Sequence, residues 1–178
     1  MMLLLRLEAI NKLEKENDMK RTLIFAALVG STINALAADA TVPYPAGYRD
    51  WHHVKSMVIE DGHPLFGAFG GIHHLYANKK AIKGYKQGKF SDGSVIVFDL
   101  LEANHGGNAV TEGKRKVVGV MHKNSRKYTE TGGWGFEGFA GDSKTQRAVG
   151  ENAKSACFGC HEPLADGDYV FSKLRDAK

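Results

Sequence analysis

The strongest hydrophobic pattern in the chain is the segment 94–101, Ser-Val-Ile-Val-Phe-Asp-Leu-Leu, which follows a Ser-Asp-Gly turn. Its β-branched and aromatic residues predict a β-strand. Alternate positions form two apolar sets, with Ile96, Phe98 and Leu100 on one face and Val95, Val97 and Leu101 on the other. Because both faces are apolar, we expect a central strand that is covered on both sides.

Three further segments have the pattern of strands, residues 72–76, 116–122 and 133–139. Residues 77–87 predict a short helix with Asn78 near its start, and a helical pattern follows Asp142. The strands follow one another without regularly alternating helices. The pattern therefore predicts a single α+β domain, mainly an antiparallel β-sheet with a few helices.

The N-terminal region has the pattern of an export signal that begins at Met19. A Lys-Arg pair follows this methionine, then an apolar run over 23–30 and a small-x-small cleavage site that ends at Ala37. We assign residues 1–18 to an upstream extension, 19–37 to a secretory signal peptide and 38–178 to the mature domain. An amphipathic anchor helix over 1–18 is the alternative. The apolar run is too short to span a bilayer, so we expect no membrane attachment after cleavage.

The charge of the chain adds little to these predictions of fold and location. Its 24 Lys and Arg residues against 20 Asp and Glu residues leave a net charge of +4. The basic residues are scattered among acidic ones and do not form one basic face, so the sequence does not support nucleic-acid binding.

Cys157-Phe158-Gly159-Cys160-His161 contains the only two cysteines of the chain. Two thiols at this spacing add to the two vinyl groups of one porphyrin, and the histidine that follows them coordinates the iron. The motif predicts one covalently bound haem c per chain, with His161 as the metal ligand. Such attachment takes place outside the cytoplasm, in agreement with the export signal. A zinc site, a structural disulfide and a redox dithiol remain alternatives, although zinc lacks a second cysteine pair and the pair stands late for a redox enzyme.

Several segments, in order and at similar spacing, resemble the cytochrome P-460 family, and most closely its cytochrome c-prime-beta branch. They are Gly47-Tyr48-Arg49-Asp50-Trp51, Gly88-Lys89-Phe90-Ser91-Asp92-Gly93-Ser94-Val95, Gly133-Trp134-Gly135-Phe136, and the CxxCH motif with Asp168-Tyr169-Val170-Phe171. The resemblance implies a five-coordinate haem packed on an antiparallel sheet, with His161 proximal and an open distal side. It also implies a periplasmic homodimer.

One strand position divides this family by function. The P-460 enzymes have a lysine there, which is cross-linked to the porphyrin and supports the oxidation of hydroxylamine; the matching position here is Phe98. A phenylalanine has no nucleophilic nitrogen, so this cross-link cannot form through it. The resemblance to the c-prime-beta branch instead implies that Phe98 and Phe69, expected on the neighbouring strand segment, form an aromatic distal cap. An apolar pocket of this kind admits neutral diatomic gases such as NO and CO.

The sequence therefore predicts a periplasmic gas-binding haem protein, without an assigned catalytic residue, that sequesters or detoxifies NO. Hydroxylamine oxidation is one alternative, and electron transfer to a periplasmic partner through a six-coordinate haem is another. For that six-coordinate haem, the other seven histidines and Met57 and Met121 are possible axial ligands.

Three further residues are possible contributors to the haem site. Arg49 is a candidate partner for a haem propionate, and Lys173 is a candidate cation near the proximal histidine or a propionate. Glu137 is a possible proton shuttle over the distal face. For Glu137 we favour an outward position on a half-exposed strand.

Overall fold

The computed structural model describes residues 41–175, which belong to one compact unit. The predicted upstream extension and signal peptide lie outside the described residues. Five antiparallel strands follow the order of the chain across one sheet: β1 (His52–Ile59), β2 (Gly71–Ala77), β3 (Val95–Gly106), β4 (Ala109–Lys123) and β5 (Trp134–Ala140). The predicted mainly antiparallel α+β fold is confirmed.

The strand predicted to be central, β3, lies in the middle of the sheet, between β2 and β4. One face of the sheet carries Ile96 and Phe98 on β3, and Ile96 is in register with Met121, which pairs with Phe136 on β5. We call this the His161 face, because the ring of His161 lies 4.9 Å from that of Phe136. The other face carries Val97 and Asp99, and we call it the Asp99 face.

Each face has its own buried cluster. On the His161 face the cluster includes Ile96, Trp134, Phe136 and Phe158. On the Asp99 face it includes Val97, Val118 and Phe139 together with Tyr48 and Val42 from the preceding segment. Both apolar sides of β3 are therefore covered, as its sequence pattern predicts.

Two helices connect the strands on the N-terminal side. The short α1 (Phe66–Phe69) precedes β2, and α2 (Lys79–Gln87) connects β2 to β3. The side chain of Asn78 caps α2 by accepting a hydrogen bond from the Ala81 N–H at 2.9 Å. Gly88 ends the helix in a left-handed conformation, with φ of 70°. The predicted helix and its start at Asn78 are confirmed.

The region after β5 starts as an additional edge pairing, where our prediction placed helix. The Ala140 N–H donates to Gln146 O and the Ala148 N–H to Gly138 O, alongside a bridge between Phe139 and Arg147. Helical structure begins only at residue 150. It runs through a 3-10 turn (Gly150–Asn152), a π-helical turn (Lys154–Phe158), α3 (Gly159–His161) and a 3-10 segment (Glu162–Gly167).

The sequence pattern did not predict two elements, β1 and α1. In β1, a bulge between His53 and Lys55 interrupts the alternation, and most of its side chains are exposed. Helix α1 has only four residues, all of them exposed, so it has no periodic signal. Within 41–175, no helix has the length and apolar character needed to cross a membrane.

Candidate haem site

The Cys157-x-x-Cys160-His161 motif lies on the helical segment that covers the His161 face. The Phe158 ring is buried in the cluster of that face, which holds the segment against the sheet. Cys157 is half-buried, Cys160 is exposed, and both thiols are free. The two sulfurs therefore belong to one short helical segment, and one of them packs against the apolar face of the sheet.

The imidazole of His161 is oriented by a backbone acceptor. Its Nδ1 lies 2.7 Å from the carbonyl oxygen of Tyr169. Because a carbonyl only accepts, Nδ1 donates the proton, and the lone pair of the neutral ring is on Nε2. Phe136 and Phe171 contact the ring at centroid distances of 4.9 and 4.8 Å. Burial lowers the pKa of His161, and the bond to Tyr169 offsets part of that effect. The ring is therefore presented as a neutral ligand with one free nitrogen.

The Tyr169 carbonyl belongs to a strained turn. Asp168 and Tyr169 both have positive φ values, 53° and 65°, which are uncommon for residues other than glycine. Several contacts hold the turn: the Asp168 carboxylate accepts from the Phe90 N–H at 2.8 Å, and its carbonyl accepts from Trp134 Nε1 at 2.8 Å. Strain of this kind persists only where the surroundings impose it. Here the strained turn orients the carbonyl oxygen of Tyr169 toward the His161 ring.

Lys123, at the end of β4, holds the same turn from the other side. Its Nζ lies 2.5 Å from the Asp168 carboxylate, donates to Gly132 O at 2.9 Å, and stands 5.0 Å from the centre of the Trp134 ring. The Lys123 and Asp168 side chains are only 9 and 13% exposed. Position 132 requires glycine, because it has φ of 62° and an added Cβ would overlap the Tyr169 ring. Sequence reasoning missed this ion pair, since the two charges are 45 residues apart.

The two phenylalanines of the predicted cap meet on the same face as His161. The rings of Phe69 and Phe98 are in edge-to-face contact, with centroids 5.6 Å apart and an interplanar angle of 79°. Phe98 is half-buried, and Phe69 is 39% exposed. The predicted strand position of Phe69 is wrong, because Phe69 ends α1 and reaches Phe98 from there. Opposite Phe98 on β4 stands Gly119, which adds no side chain to this part of the face.

One of the other histidines, His73, also lies on the His161 face. Its ring stands 4.6 Å from that of Phe98, and the side chain is buried, with 4% exposure. Within residues 41–175, its Nδ1 has no hydrogen-bond partner. Burial, and to a smaller extent the neighbouring His74, lower the pKa of His73 to about 4, so the ring is neutral at pH 7.

Both methionines considered as axial ligands are on this face as well. Met57 pairs with His73 across β1 and β2 and is 48% exposed. Met121 pairs with Ile96 and with Phe136 and packs against the buried cluster.

The remaining histidines are on the Asp99 face or exposed, and of the exposed ones His52 is on the His161 face by its register with Ala77, which pairs with Ile96. His74 faces the other side of the sheet, where its ring contacts Ser56 Oγ at 2.6 Å and Glu112 at 2.7 Å. His122 is half-buried on the Asp99 face, in register with Val95. The exposed members are His52, His53, His63 and His105.

Glu137 is buried, with 5% exposure, so the expected half-exposed position is wrong. It lies on the Asp99 face, because it alternates with Phe136 along β5. Its carboxylate accepts from Arg147 at 2.7 Å and from the N–H groups of Gly138, Val149 and Gly150. Burial opposes ionisation, but these donors outweigh it and lower the pKa of Glu137. Its role in the structure is to anchor the start of the helical segment that carries the cysteines.

Arg49 is not brought near His161. Its guanidinium lies on the Asp99 face, 3.9 Å from Asp99 and 3.7 Å from Glu112. Lys173 is exposed, two residues after the Phe171 that contacts His161. The structure therefore places Arg49 on the face of the sheet opposite His161, whereas Lys173 is linked to His161 only through the neighbouring contact of Phe171.

Two of the three alternatives to haem, the redox dithiol and the zinc site, can be compared with the thiol pKa and with the grouping of possible metal ligands. Burial, with smaller contributions from Glu137 and Cys160, raises the pKa of Cys157, whereas redox-active dithiols have a lowered thiol pKa. Within the described part of the chain, no three His, Cys, Asp or Glu side chains are grouped as ligands for a metal ion.

The donor set and the exposed apolar surface fit a haem. Met57, Phe69 and Phe171, all on or beside the His161 face, are 48, 39 and 63% exposed. Phe171 contacts the His161 ring and Phe69 contacts Phe98, so exposed apolar surface is available beside the imidazole and beside Phe98. Beside them stand a neutral imidazole with a free nitrogen and two free thiols.

Comparison with known proteins agrees with this reading. No curated protein matches the chain. A family model described as Cytochrome P460 matches residues 45–172, which includes all five strands and the CxxCH motif. The chain therefore belongs to the cytochrome P460 family, and its cofactor is haem.

Proposed function

We propose that the protein carries one haem c, bound through Cys157 and Cys160, with His161 as the proximal ligand and an open sixth position that binds small diatomic gases, NO and CO. The haem iron supplies the coordination site. The observation that carries the proposal is the edge-to-face pair of Phe69 and Phe98 on the same face as His161.

Different residues of the chain act on the two sides of the proposed haem. On the proximal side, the Tyr169 carbonyl fixes the orientation of His161, and Lys123 and Asp168 hold the turn that presents this carbonyl. On the distal side, Phe69 and Phe98 provide an apolar wall without hydrogen-bond donors. Bound dioxygen gains little stabilisation beside such a wall, whereas neutral NO and CO need no donor.

The enzyme alternative, hydroxylamine oxidation, is weakened by Phe98, which stands where the P-460 enzymes have the cross-linking lysine. The position of Glu137 on the Asp99 face also removes the acid that we considered as a distal proton shuttle. The electron-transfer alternative needs a sixth protein ligand, and the candidates that the register places on the His161 face are His52, His73, Met57 and Met121.

The proposal includes the setting of the protein. We propose that it acts in the periplasm after removal of residues 1–37, as a homodimer, to sequester or detoxify NO. The electron donor would be a periplasmic redox partner.

The visible spectrum of the purified ferrous protein separates these functions. We expect a high-spin five-coordinate spectrum with an ordinary Soret band, and spectral titration with NO and CO to saturate at one ligand per haem. A strongly red-shifted Soret band would show a cross-linked porphyrin and favour the enzyme. Sharp low-spin α and β bands would show a sixth protein ligand and favour electron transfer.

A further inference from the structure

His73 is a buried imidazole that contacts the proposed distal cap, and within the described residues no hydrogen bond is made by its Nδ1. Alternation along β2 places it on the His161 face, whereas its neighbour His74 is on the Asp99 face, where it is bonded to Ser56 and Glu112. In register, His73 pairs with Leu100 on one side and Met57 on the other. His73 therefore lies on the apolar His161 face, which we propose to bind the haem.

The contact between His73 and Phe98 is close. The ring centroids are 4.6 Å apart, closer than the 5.6 Å between Phe69 and Phe98, and the rings are tilted by 34°. The Phe98 ring is the part of the proposed distal wall against which the imidazole packs. Removal of this ring would leave a cavity that the imidazole borders directly.

The state of the His73 ring suits metal binding. A neutral imidazole is a good ligand for iron, and burial keeps this one neutral at pH 7. Among the residues that the structure describes, its buried Nδ1 has no hydrogen-bond partner, and an unsatisfied buried polar group destabilises the fold. A bond from this nitrogen to a metal would remove that destabilisation. His122 Nδ1 also lacks a partner, but His122 lies on the opposite face of the sheet.

We propose that His73 is a latent sixth ligand of the haem iron and that Phe98 keeps it from binding. In this view the aromatic cap keeps the sixth position open to diatomic gases by excluding an internal imidazole from it. The inference rests on the proposed five-coordinate haem with Phe98 on its distal side.

The test uses the ferric holoprotein and two spectroscopic readouts, the electron paramagnetic resonance spectrum and the visible spectrum. The wild type is expected to be high-spin. Phe98→Ala is expected to convert the high-spin signal into a low-spin one of the bis-histidine type. The double variant Phe98→Ala/His73→Phe is expected to lose this low-spin signal. In the control Phe98→Ala/His74→Gln, which changes the histidine on the opposite face, the low-spin signal is expected to persist.

The contrary outcomes are distinct. A Phe98→Ala protein that stays high-spin would overturn the inference. So would a low-spin signal that survives in Phe98→Ala/His73→Phe and disappears with Met121→Leu, since methionine would then be the ligand. If Phe98→Ala does not retain its fold, Phe98→Val, with a smaller cavity, gives the same comparison. A low-spin wild type would instead contradict the proposed function itself, whatever His73 does.

Discussion

On the Asp99 face of the sheet, charged groups pair with one another around the fully buried Asp99, whereas the His161 face presents exposed aromatic rings. Asp99 has no exposed surface and accepts hydrogen bonds from Tyr48 at 2.7 Å and Arg115 at 2.6 Å. On the His161 face, Phe69 is 39% exposed beside the half-buried Phe98. The same five strands therefore build one face around paired buried charges and, in our proposal, present the other face to a haem.

This difference shows where each kind of substitution should act. Changes on the Asp99 face should alter the free energy of unfolding and leave the haem spectrum as it is. Changes in the turn behind His161 should alter both. The predictions below test that division, in order of decreasing effect.

The largest loss of stability is expected for Asp99→Asn. The substitution removes a fully buried charge, and its amide keeps only one acceptor oxygen, so either the half-buried Arg115 or the Tyr48 hydroxyl then faces an NH2 donor. Breaking a buried ion pair costs about 3–5 kcal/mol. Urea unfolding should show this loss, while the ferric and ferrous spectra stay those of the wild type. Glu102→Gln, an exposed carboxylate on the same strand, is the matched control and should change stability little. A changed haem spectrum in Asp99→Asn would break the division between the faces.

Asp168→Asn should cost about 3 kcal/mol, at the lower end for a broken buried pair, because asparagine keeps one acceptor for the Phe90 N–H. It should also loosen the turn that presents the Tyr169 carbonyl to His161. We therefore expect a shift of the ferrous iron–histidine stretching band in resonance Raman spectra and a changed reduction potential.

Asp166→Asn, an exposed aspartate in the same helical turn, serves as the control for this experiment. An Asp168→Asn protein that unfolds more easily but keeps an unaltered iron–histidine band would show that the Lys123–Asp168 pair stabilises the fold without orienting the proximal ligand.

The smallest effect is expected for Glu137→Gln, about 1–2 kcal/mol at pH 7, because Arg147 is one-third exposed and the amide keeps an acceptor. The folded-state pKa of Glu137 lies below its ordinary value of 4.5, so its stabilisation is fully present above that pH and is lost as the pH falls through the folded value. The stability gap between the wild type and Glu137→Gln should therefore narrow in acid.

Urea unfolding at neutral pH and at pH values below 4.5 measures this gap. Glu151→Gln, an exposed position near the start of the helical segment, is the control and should show almost no gap at either pH. The difference in unfolding free energy between the wild type and Glu137→Gln could instead stay constant or widen in acid. The ionised carboxylate would then not be the stabilising form.

The parts of the fold that the sequence predicted are those with a local signal. The alternation of β-branched residues predicted β3, and Asn78 predicted the start of α2. Helix α1 has too few residues for a period, and the bulge in β1 interrupts its alternation. The edge pairing at 146–148 depends on β5 and has no pattern of its own.

The candidate site divides in the same way. The CxxCH spacing is characteristic of covalent haem attachment, so Cys157, Cys160 and His161 are found from spacing alone. The Lys123–Asp168 pair and the position of His73 depend on which residues the sheet brings together. Contacts between distant residues leave no pattern in the local sequence. Arg49 and Glu137 are candidates by residue type alone. In the structure both lie on the Asp99 face, where Arg49 pairs with Asp99 and Glu137 pairs with Arg147.

The most direct test of the central claim, that the His161 face carries a covalently attached haem, is the intact mass of the acid-denatured protein. We predict a mass equal to the polypeptide plus one haem, with the haem located on the peptide that contains residues 157–161. In Cys157→Ala/Cys160→Ala the denatured protein should have the polypeptide mass alone. A wild-type protein that releases all of its haem on denaturation would contradict the account.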